Sequence, residues 1–331
     1  MNQFGKLFTV NIFGESHGES VGVVIDGCPA GMPLSVEDFI EDTERRKGGM
    51  QKGTTPRQEE DLPLFKSGVF NGKTTGAPLT LLFENKNTRS GDYEKQRAVP
   101  RPGHADFVAH EKFGGFEDYR GGGHFSGRLT LCLVAAGVVA KKMLSPLKIV
   151  ATITEIGGES DIEKGLQRAI EQKDSVGGIV ECRVQDLPIG LGEPFFESVE
   201  SLIAHAAFAI PAVRGIEFGT GFQAAKMFGI DHNDAIENKE GKTRTNHAGG
   251  IVGGITNSNE LLFRIAIKPT SSTPKEQHTY NWETDQMDSF AVRGRHDLCI
   301  ALRVPPVLEG ITAMVLADLM LREQRIKRVY S

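Results

Sequence analysis

Residues 121–144 read GGGHFSGRLTLCLVAAGVVAKKML, a glycine-rich loop followed without a break by an apolar segment. The segment 129–144 is predicted to be a helix that ends at Ser145-Pro146, because proline cannot continue a helix. Its apolar run, 129–140, is too short to span a bilayer and is followed by two lysines, so we predict a buried helix and no membrane contact. The glycines ahead of it leave backbone N–H groups free to bind an anion.

The sequence on both sides of this helix has a mixed α and β pattern. Residues 7–13 and 20–25 predict two strands with a tight connection at 14–18. Ser35 and Asp38 form a capping box that predicts a helix over 36–47. Further strands are predicted at 149–155, 179–184 and 298–304, a hairpin at 251–255 and 261–267, and helices at 162–172, 199–208 and 307–326. We predict one α+β domain, 1–331, whose halves, about 1–145 and 146–331, have the pattern of a duplication.

Composition and charge exclude several classes of protein. The chain has 331 residues, 39% of them hydrophobic, which excludes an extended disordered tract. Its formal net charge is -5, so a general affinity for nucleic acid or an anionic membrane is not expected. The cysteines are far apart without a C-x-x-C pair, and residues 1–6 lead into a strand without a signal peptide. We therefore expect reduced thiols, a cytoplasmic location and no metal site.

The segment 14–18, GESHG, places a serine and a histidine between glycines. It matches G-x-S-x-G, the nucleophile elbow of serine hydrolases, which would make Ser16 a nucleophile. That elbow needs a strand followed by a helix, whereas residues 20–26 have the pattern of a second strand. A histidine that only stabilises a turn is the structural alternative for His17.

Two further clusters combine histidine with arginine. In RPGHAD, 101–106, Arg101 is a candidate phosphate ligand and His104 a candidate general acid, although a lone histidine is more often structural. In RGRHD, 293–297, Asp297 lies among cationic groups next to an apolar segment, which favours a half-buried site over a solvated run of charges. Residues of these types suit the binding and protonation of oxyanions.

Seven segments, taken together and in this order, resemble the chorismate synthase family. They are FGESHG (13–18), RPGHAD (101–106), YRGGG (119–123), SGR (126–128), NHAGG (246–250), KPTSS (268–272) and GRHD (294–297). The resemblance implies an α+β fold in which a helical layer lies between two antiparallel four-stranded sheets with pseudo-twofold symmetry. It also implies a homotetramer.

The activity implied by this resemblance is that of a carbon-oxygen lyase. With reduced flavin mononucleotide (FMN), such an enzyme eliminates phosphate from 5-enolpyruvylshikimate 3-phosphate by a 1,4-anti elimination, giving chorismate in the last step of the shikimate pathway. The resemblance implies that His17 protonates the reduced flavin, that His104 protonates the leaving phosphate and that Asp297 assists removal of the C6 proton through flavin N5. The sequence leaves open whether NADPH or an external flavin reductase reduces the flavin.

The resemblance also assigns binding residues. For the substrate anions they are Ser16, Arg45, Arg46, Arg101 and Arg128. For the flavin they are Arg46, His124, Phe125, Ser126, Ala212, Gly253, Lys268, Pro269, Thr270, Ser271, Ser272 and Arg295. Arg46 is also assigned to a nicotinamide dinucleotide. The chain departs from common family patterns at His124-Phe125 and at Lys47, which lowers the fixed positive charge. A serine hydrolase built on Ser16 and a non-catalytic protein that binds phosphate ligands stay open as alternatives.

Overall fold

The computed structural model describes residues 2–49, 53–55, 59–87, 97–292 and 297–330. In these residues a layer of helices lies between two antiparallel sheets, which confirms the predicted α+β architecture. The strands are β1 (Gln3–Phe4), β2 (Thr9–Gly14), β3 (Ser20–Asp26), β4 (Leu64–Ser67), β5 (Val69–Phe70), β6 (Lys73–Thr74), β7 (Leu79–Glu84), β8 (Lys148–Ile156), β9 (Gly178–Gln185), β10 (Val213–Phe218), β11 (Ile251–Val252), β12 (Ile255–Thr256), β13 (Leu261–Ile267), β14 (Gln277–Asn281) and β15 (Gln286–Phe290). The helices are α1 (Glu37–Arg46), α2 (Asp106–Phe113), α3 (Thr130–Leu144), α4 (Ile162–Gln172), α5 (Val199–Ala207), α6 (Gly229–His232) and α7 (Pro305–Arg322).

The first sheet has the strand order β1-β2-β3-β7-β4, with every neighbouring pair antiparallel. It has one strand more than the four implied by the resemblance, because the two-residue β1 pairs with the outer edge of β2. Side chains alternate between the two faces of a strand. Val21, Val23 and Ile25 of β3 therefore lie on one face, where they are fully buried in the core.

The second sheet has the order β10-β13-β9-β8 and is also antiparallel. Its central strand β13, with the sequence LLFRIAI, alternates between buried and half-buried residues. Leu261, Phe263, Ile265 and Ile267 form the buried set. The sheet therefore presents an apolar face to the helices and a more polar face outward.

The helical layer is centred on α3 and α7, which pack against each other and each against one sheet. Apart from Lys141 and Lys142, every residue of α3 is buried. The two helices approach so closely that a Cβ at Gly137 would lie 2.2 Å from the Cα of Gly310. The stretch Arg120–Leu144 is long and apolar enough to cross a bilayer. However, 78% of its most apolar 18-residue segment is buried inside the protein, as in the core helix of a soluble protein.

Two sequence predictions of local structure are wrong. Residues 251–255 and 261–267 do not form a hairpin, because β11 pairs with β12 while β13 lies between β10 and β9. Residues 298–304 do not form a strand, since Ile300–Arg303 is a 3₁₀ turn that leads into α7. Short apolar segments have no distinct periodicity, so their partners and their type depend on the tertiary structure.

Candidate active site

A cavity of about 700 Å³ gathers loops and helix ends from both halves of the chain. It is lined by the turn after β2, the end of α1, the loop before α2, the glycine-rich turns before α3, the end of α5 with the loop after it, the loop after β13 and the start of α7. Its volume is in the range of small-molecule binding sites.

The wall of this cavity has a cationic part and an apolar part. The cationic lining residues are Arg46, Lys47, Arg101, Arg128, Lys268 and Arg303, and the carboxylates are Glu59, Asp61 and Asp297. The apolar part comprises Phe4, Val10, Ile12, Leu133, Ile210, Val304, Val307, Ile311 and Met314. With neutral histidines, the described lining has a surplus of three positive charges, so it favours an anionic ligand that also has an apolar surface.

Asp61 lies between two arginines of the cavity wall. Nη2 of Arg46 donates to one carboxylate oxygen over 3.0 Å, and Nη1 of Arg128 donates to the other. The Arg46, Arg128 and Asp61 side chains are only 2%, 5% and 1% exposed. Burial raises the pKa of Asp61, but the two guanidiniums outweigh burial and lower it. The ionised carboxylate therefore fixes both guanidiniums in place.

Arg46 retains one buried hydrogen-bond donor that no described residue satisfies. Its Nη1 donates to Thr130 Oγ1 over 3.2 Å, while its Nε is buried without a partner among the described residues. Burial lowers the pKa of Arg46 to about 10, Asp61 opposes this shift, and the neighbouring cations Arg303 and Arg128 reinforce it. A buried unsatisfied donor is costly, so this side chain is held in place at some cost in stability.

Arg101 and His104 are both held by Asp106, at the start of α2. Arg101 donates from Nε and Nη2 to the two carboxylate oxygens over 2.7 Å and 2.8 Å. Nδ1 of His104 lies 2.6 Å from Oδ1 of the same carboxylate. Burial raises the pKa of Asp106, but hydrogen bonds from Arg101 and His104 outweigh it and lower the pKa well below the usual range. Because an ionised carboxylate only accepts, this contact favours a proton on Nδ1 of His104, although the donor Nη2 of Arg101 also lies 3.1 Å from that nitrogen.

The glycine turn ahead of α3 packs against both histidines of the cavity. Gly121 and Gly122 have left-handed backbones with φ of 61° and 80°. A Cβ at Gly121 would lie 2.5 Å from Cδ2 of His17, and one at Gly122 would lie 3.3 Å from Cε1 of His104. Glycine is required at Gly121 both by backbone conformation and by the close approach of the imidazole. The turn therefore places His17 and His104 beside consecutive residues of one segment.

Asp297 is anchored by groups from two other segments. Oδ1 accepts a hydrogen bond from the backbone N–H of Thr55 over 2.9 Å, and Oδ2 accepts one from Nη1 of Arg303 over 2.9 Å. Nε of Arg303 also donates to the backbone oxygen of Arg46 over 2.8 Å. Arg303 thus connects the carboxylate of Asp297 to the end of α1.

The loop after β13 is tied to the loop that contains His104. Nζ of Lys268 and Oγ of Ser271 donate to the backbone oxygen of Gly103 over 2.6 Å and 2.8 Å. Nη1 of Arg101 donates to Ser272 Oγ over 3.3 Å. Burial, and then Arg214, lower the pKa of Lys268. An ammonium and hydroxyl groups thus lie together at one edge of the cavity.

His124 is held on both of its ring nitrogens. Nδ1 lies 2.8 Å from the backbone oxygen of Gly14, and Nε2 lies 3.0 Å from Oδ1 of Asn2. Phe125 is 41% exposed and lies next to Phe113. Ser126 accepts a hydrogen bond from the backbone N–H of Arg128, so it caps the turn that leads into α3. These three residues form the cavity wall before α3.

Comparisons with known proteins identify the family. The family model described as chorismate synthase matches residues 8–321. The chain is 70% identical over 331 residues to a chorismate synthase from Chitinophaga pinensis, covering 100% of this chain and 99% of that one. It is 45% identical to a chorismate synthase from Dehalococcoides mccartyi, covering 99% of each. A crystal structure of chorismate synthase matches with a TM-score of 0.73 and 25% identity over 97% of this chain and 93% of that one. The chain belongs to the chorismate synthase family.

This membership confirms the family, the fold and the enzyme class that the seven segments predicted. The serine hydrolase alternative is wrong. Ser16 is buried in a turn between the antiparallel strands β2 and β3, whereas a nucleophile elbow requires a strand followed by a helix. Within the described residues, no group of three or more His, Cys, Asp or Glu side chains is arranged to hold a metal.

The cavity brings together most of the residues that the chorismate synthase resemblance assigned. His17, His104 and Asp297 all line it, as do Ser16, Arg46, Arg101, Arg128, His124, Phe125, Ser126, Ala212, Lys268, Pro269, Thr270, Ser271 and Ser272. Arg45 and Gly253 do not line it, and Arg295 lies outside the described residues. Arg45 instead pairs with Glu309 and Asp42 in the helical layer, and Gly253 forms the turn between β11 and β12.

Sequence reasoning missed several side chains that hold the cavity wall. Asp61 and Arg303 line the cavity, and Asn85 and Asp106 hydrogen-bond to arginines that line it. Asp106 was part of a matched segment, but nothing in the pattern gave it a role. Asp61 lies in the polar segment 59–61. The only sequence feature that could have pointed to it is that it is the third carboxylate in a row and lies near arginines in the sequence.

Proposed function

We propose that this cavity binds 5-enolpyruvylshikimate 3-phosphate beside reduced FMN and eliminates phosphate to give chorismate. The observation that carries the proposal is the convergence of His17, His104 and Asp297 on one cavity with a cationic and an apolar part. The substrate has two carboxylates and a phosphate, and the surplus of positive charge in the lining matches such a polyanion.

Arg46, Arg101 and Arg128 are proposed to hold the anionic groups of the substrate. Guanidiniums remain charged when buried and offer paired donors to carboxylate or phosphate. Asp61 and Asp106 orient them before the ligand arrives, so little side-chain entropy is lost on binding.

His104 is proposed to donate a proton to the leaving phosphate. With Nδ1–H directed to Asp106, a protonated His104 has its second proton on Nε2. Asp106 stabilises the imidazolium through its negative charge. General acid catalysis of this kind accelerates a reaction by about 10²–10⁴-fold.

The residues of the cavity fit a flavin. The apolar part offers a surface for a ring system, and the N–H groups of the turn before α3 with the loop after β13 offer donors to a phosphate. The residues proposed to hold it are His124, Phe125, Ser126, Ala212 and Lys268 through Ser272. When bound, reduced flavin supplies electron density to the substrate ring. His17 is proposed to hold a proton at its imidazole next to this ligand.

Asp297 is proposed to assist removal of the C6 proton during the elimination. Its two oxygens are oriented by Thr55 and Arg303, so the carboxylate has a fixed direction. A base held in place loses less entropy in the transition state than one on a free side chain.

We further propose that the chain is cytoplasmic, forms one domain of duplicated halves and assembles as a homotetramer. Large apolar side chains between residues 195 and 236 are exposed, which is unusual for a monomer. The most exposed are Phe195, Phe196, Phe222, Phe228, Ile230 and Ile236, with exposed fractions between 73% and 91%. Multi-angle light scattering should give four chains per particle.

Anaerobic turnover tests the main proposal. Purified protein, substrate and chemically reduced FMN should release inorganic phosphate and form chorismate, and absence of both products would refute the assignment. Tight substrate binding without phosphate release would instead indicate a non-catalytic binding protein. Turnover with NADPH in place of the chemical reductant, first alone and then with an added flavin reductase, decides whether the chain reduces its own flavin. Arg46 is the proposed contact of the dinucleotide.

A further inference from the structure

The side chain of Asn85, directly after β7, joins two parts of the cavity wall. Its Nδ2 donates to the backbone oxygens of Glu15 and Gly18, over 3.1 Å and 2.9 Å. Its Oδ1 accepts a hydrogen bond from Nε of Arg128 over 2.9 Å. We propose that Asn85 is a positioning residue that fixes the turn carrying His17 relative to Arg128, an inference that rests on the proposed role of His17.

Backbone hydrogen bonds also hold the turn among the described residues, including one of 3.0 Å from the N–H of Asn85 to the oxygen of Glu19. Within the turn, the N–H of Gly18 donates to the oxygen of Glu15 over 3.1 Å, and the N–H of Ser16 donates to Gly123 over 3.0 Å. Asn85 contacts the carbonyl at each end of the turn, so it limits how far the turn can open. His17 lies between these two contacts and packs on Gly121.

The chemistry of an amide suits this position better than that of other polar side chains. The oxygen must accept from a cation, whereas the nitrogen must donate to two carbonyls, and these partners fix the orientation of the amide. An aspartate would keep the contact with Arg128 but would place an acceptor against two other acceptors. Alanine would remove all three contacts, while Arg128 would still be held by Asp61 and by the backbone oxygen of Glu84.

Two variants separate the turn from the arginine. In Asn85→Ala we expect kcat to fall by about 10²-fold, as for a small displacement of a catalytic group, while KM for the substrate changes much less. In Asn85→Asp we expect kcat to fall as far, although the contact with Arg128 remains. Two results would overturn the inference. One is a KM in Asn85→Ala that rises by the same factor by which kcat falls. The other is a kcat of Asn85→Asp that is close to that of the unchanged chain.

Asn259 provides a matched control. Its amide also donates to backbone oxygens, of Gly241 and Asn257, and accepts from the backbone N–H of Thr243, but none of these partners lines the cavity. Asn259→Asp should lower the melting temperature about as much as Asn85→Asp and leave kcat unchanged. If both variants lose kcat equally, general destabilisation explains the loss and the inference fails. Should Asn85→Ala not fold, Asn85→Ser, which keeps one donor, is expected to fold and recover part of kcat.

Hydrogen exchange tests the inference without any assumption about the reaction. In the whole protein, amide exchange of the peptide covering residues 14–19 should accelerate in Asn85→Asp and stay unchanged in Asn259→Asp. Unchanged exchange in Asn85→Asp would refute the positioning role even if the protein is an active enzyme. Accelerated exchange in a protein whose unchanged chain releases no phosphate would support the positioning role and refute the proposed function instead.

Discussion

Nδ1 of His104 lies 2.6 Å from a carboxylate oxygen of Asp106, close enough for a strong charge-assisted hydrogen bond. The same carboxylate receives two hydrogen bonds from Arg101. One half-buried aspartate therefore orients both the imidazole of the proposed acid and the guanidinium of a proposed substrate ligand. This arrangement predicts that Asp106 contributes to turnover without touching the substrate.

Asp106→Asn should lower kcat/KM by roughly 10²-fold, the lower end of the contribution of a general acid. The amide oxygen still accepts from Nδ1 of His104, but the negative charge that stabilises the imidazolium is lost. Anaerobic phosphate release measures the effect. Asp161→Asn, which retains a good cap for α4, is the control and should behave as the unchanged chain. An Asp106→Asn variant with full activity would contradict the role.

Asp61→Asn should destabilise the protein by about 3 kcal/mol, because it leaves two buried guanidiniums without their shared counter-charge. Urea unfolding measures the loss. Inorganic phosphate should restore more stability to this variant than to the unchanged chain, since an anion in the cavity replaces the missing charge. Asp26→Asn, at an exposed turn, is the control and should show neither effect. Equal stabilisation of all three proteins by phosphate would show that the anion binds elsewhere.

Gly121→Ala should abolish most turnover because its methyl group would displace the imidazole of His17. Gly72 is a matched control, since its φ is 70° and a Cβ there would meet nothing within 4 Å. Both alanine variants force a left-handed backbone and should lose roughly 1–2 kcal/mol of stability. Only Gly121→Ala should lose phosphate release, and a comparable loss in Gly72→Ala would assign the effect to backbone strain.

The sequence predicted the elements with strong local signals and the segments that line the cavity. The apolar helix α3, the amphipathic helix α1 and the strands around the turn 14–18 have patterns that depend on nearby residues alone. The pairing of β13 could not be predicted from nearby residues, because its partners β9 and β10 are distant in sequence. The same reason explains why Asp61 and Asn85 gave no signal: their importance lies in contacts with Arg128, which only the folded chain brings near.

Arg45 is next to Arg46 in the sequence but does not line the cavity. The sequence placed it beside Arg46 as a substrate ligand, but successive residues of a helix point in different directions. Arg45 donates to both oxygens of Glu309, away from the cavity. Arg45→Gln should therefore lower the free energy of unfolding and leave kcat/KM of the folded protein unchanged. A raised KM for the substrate would restore the original assignment.

Glu309 predicts an acid-dependent loss of stability. Burial raises its pKa, but Arg45, Lys141 and the N–H of Ala151 outweigh burial and lower it below the usual 4.5. A group with a lowered folded-state pKa stabilises the protein above its unfolded pKa, and that stability is lost as the pH falls through the folded value. Glu309→Gln should therefore cost about 3 kcal/mol at pH 7, and this difference should shrink below about pH 4.5. Urea unfolding of both proteins across this range measures it, and a difference independent of pH would show that Glu309 is not ionised in the folded chain.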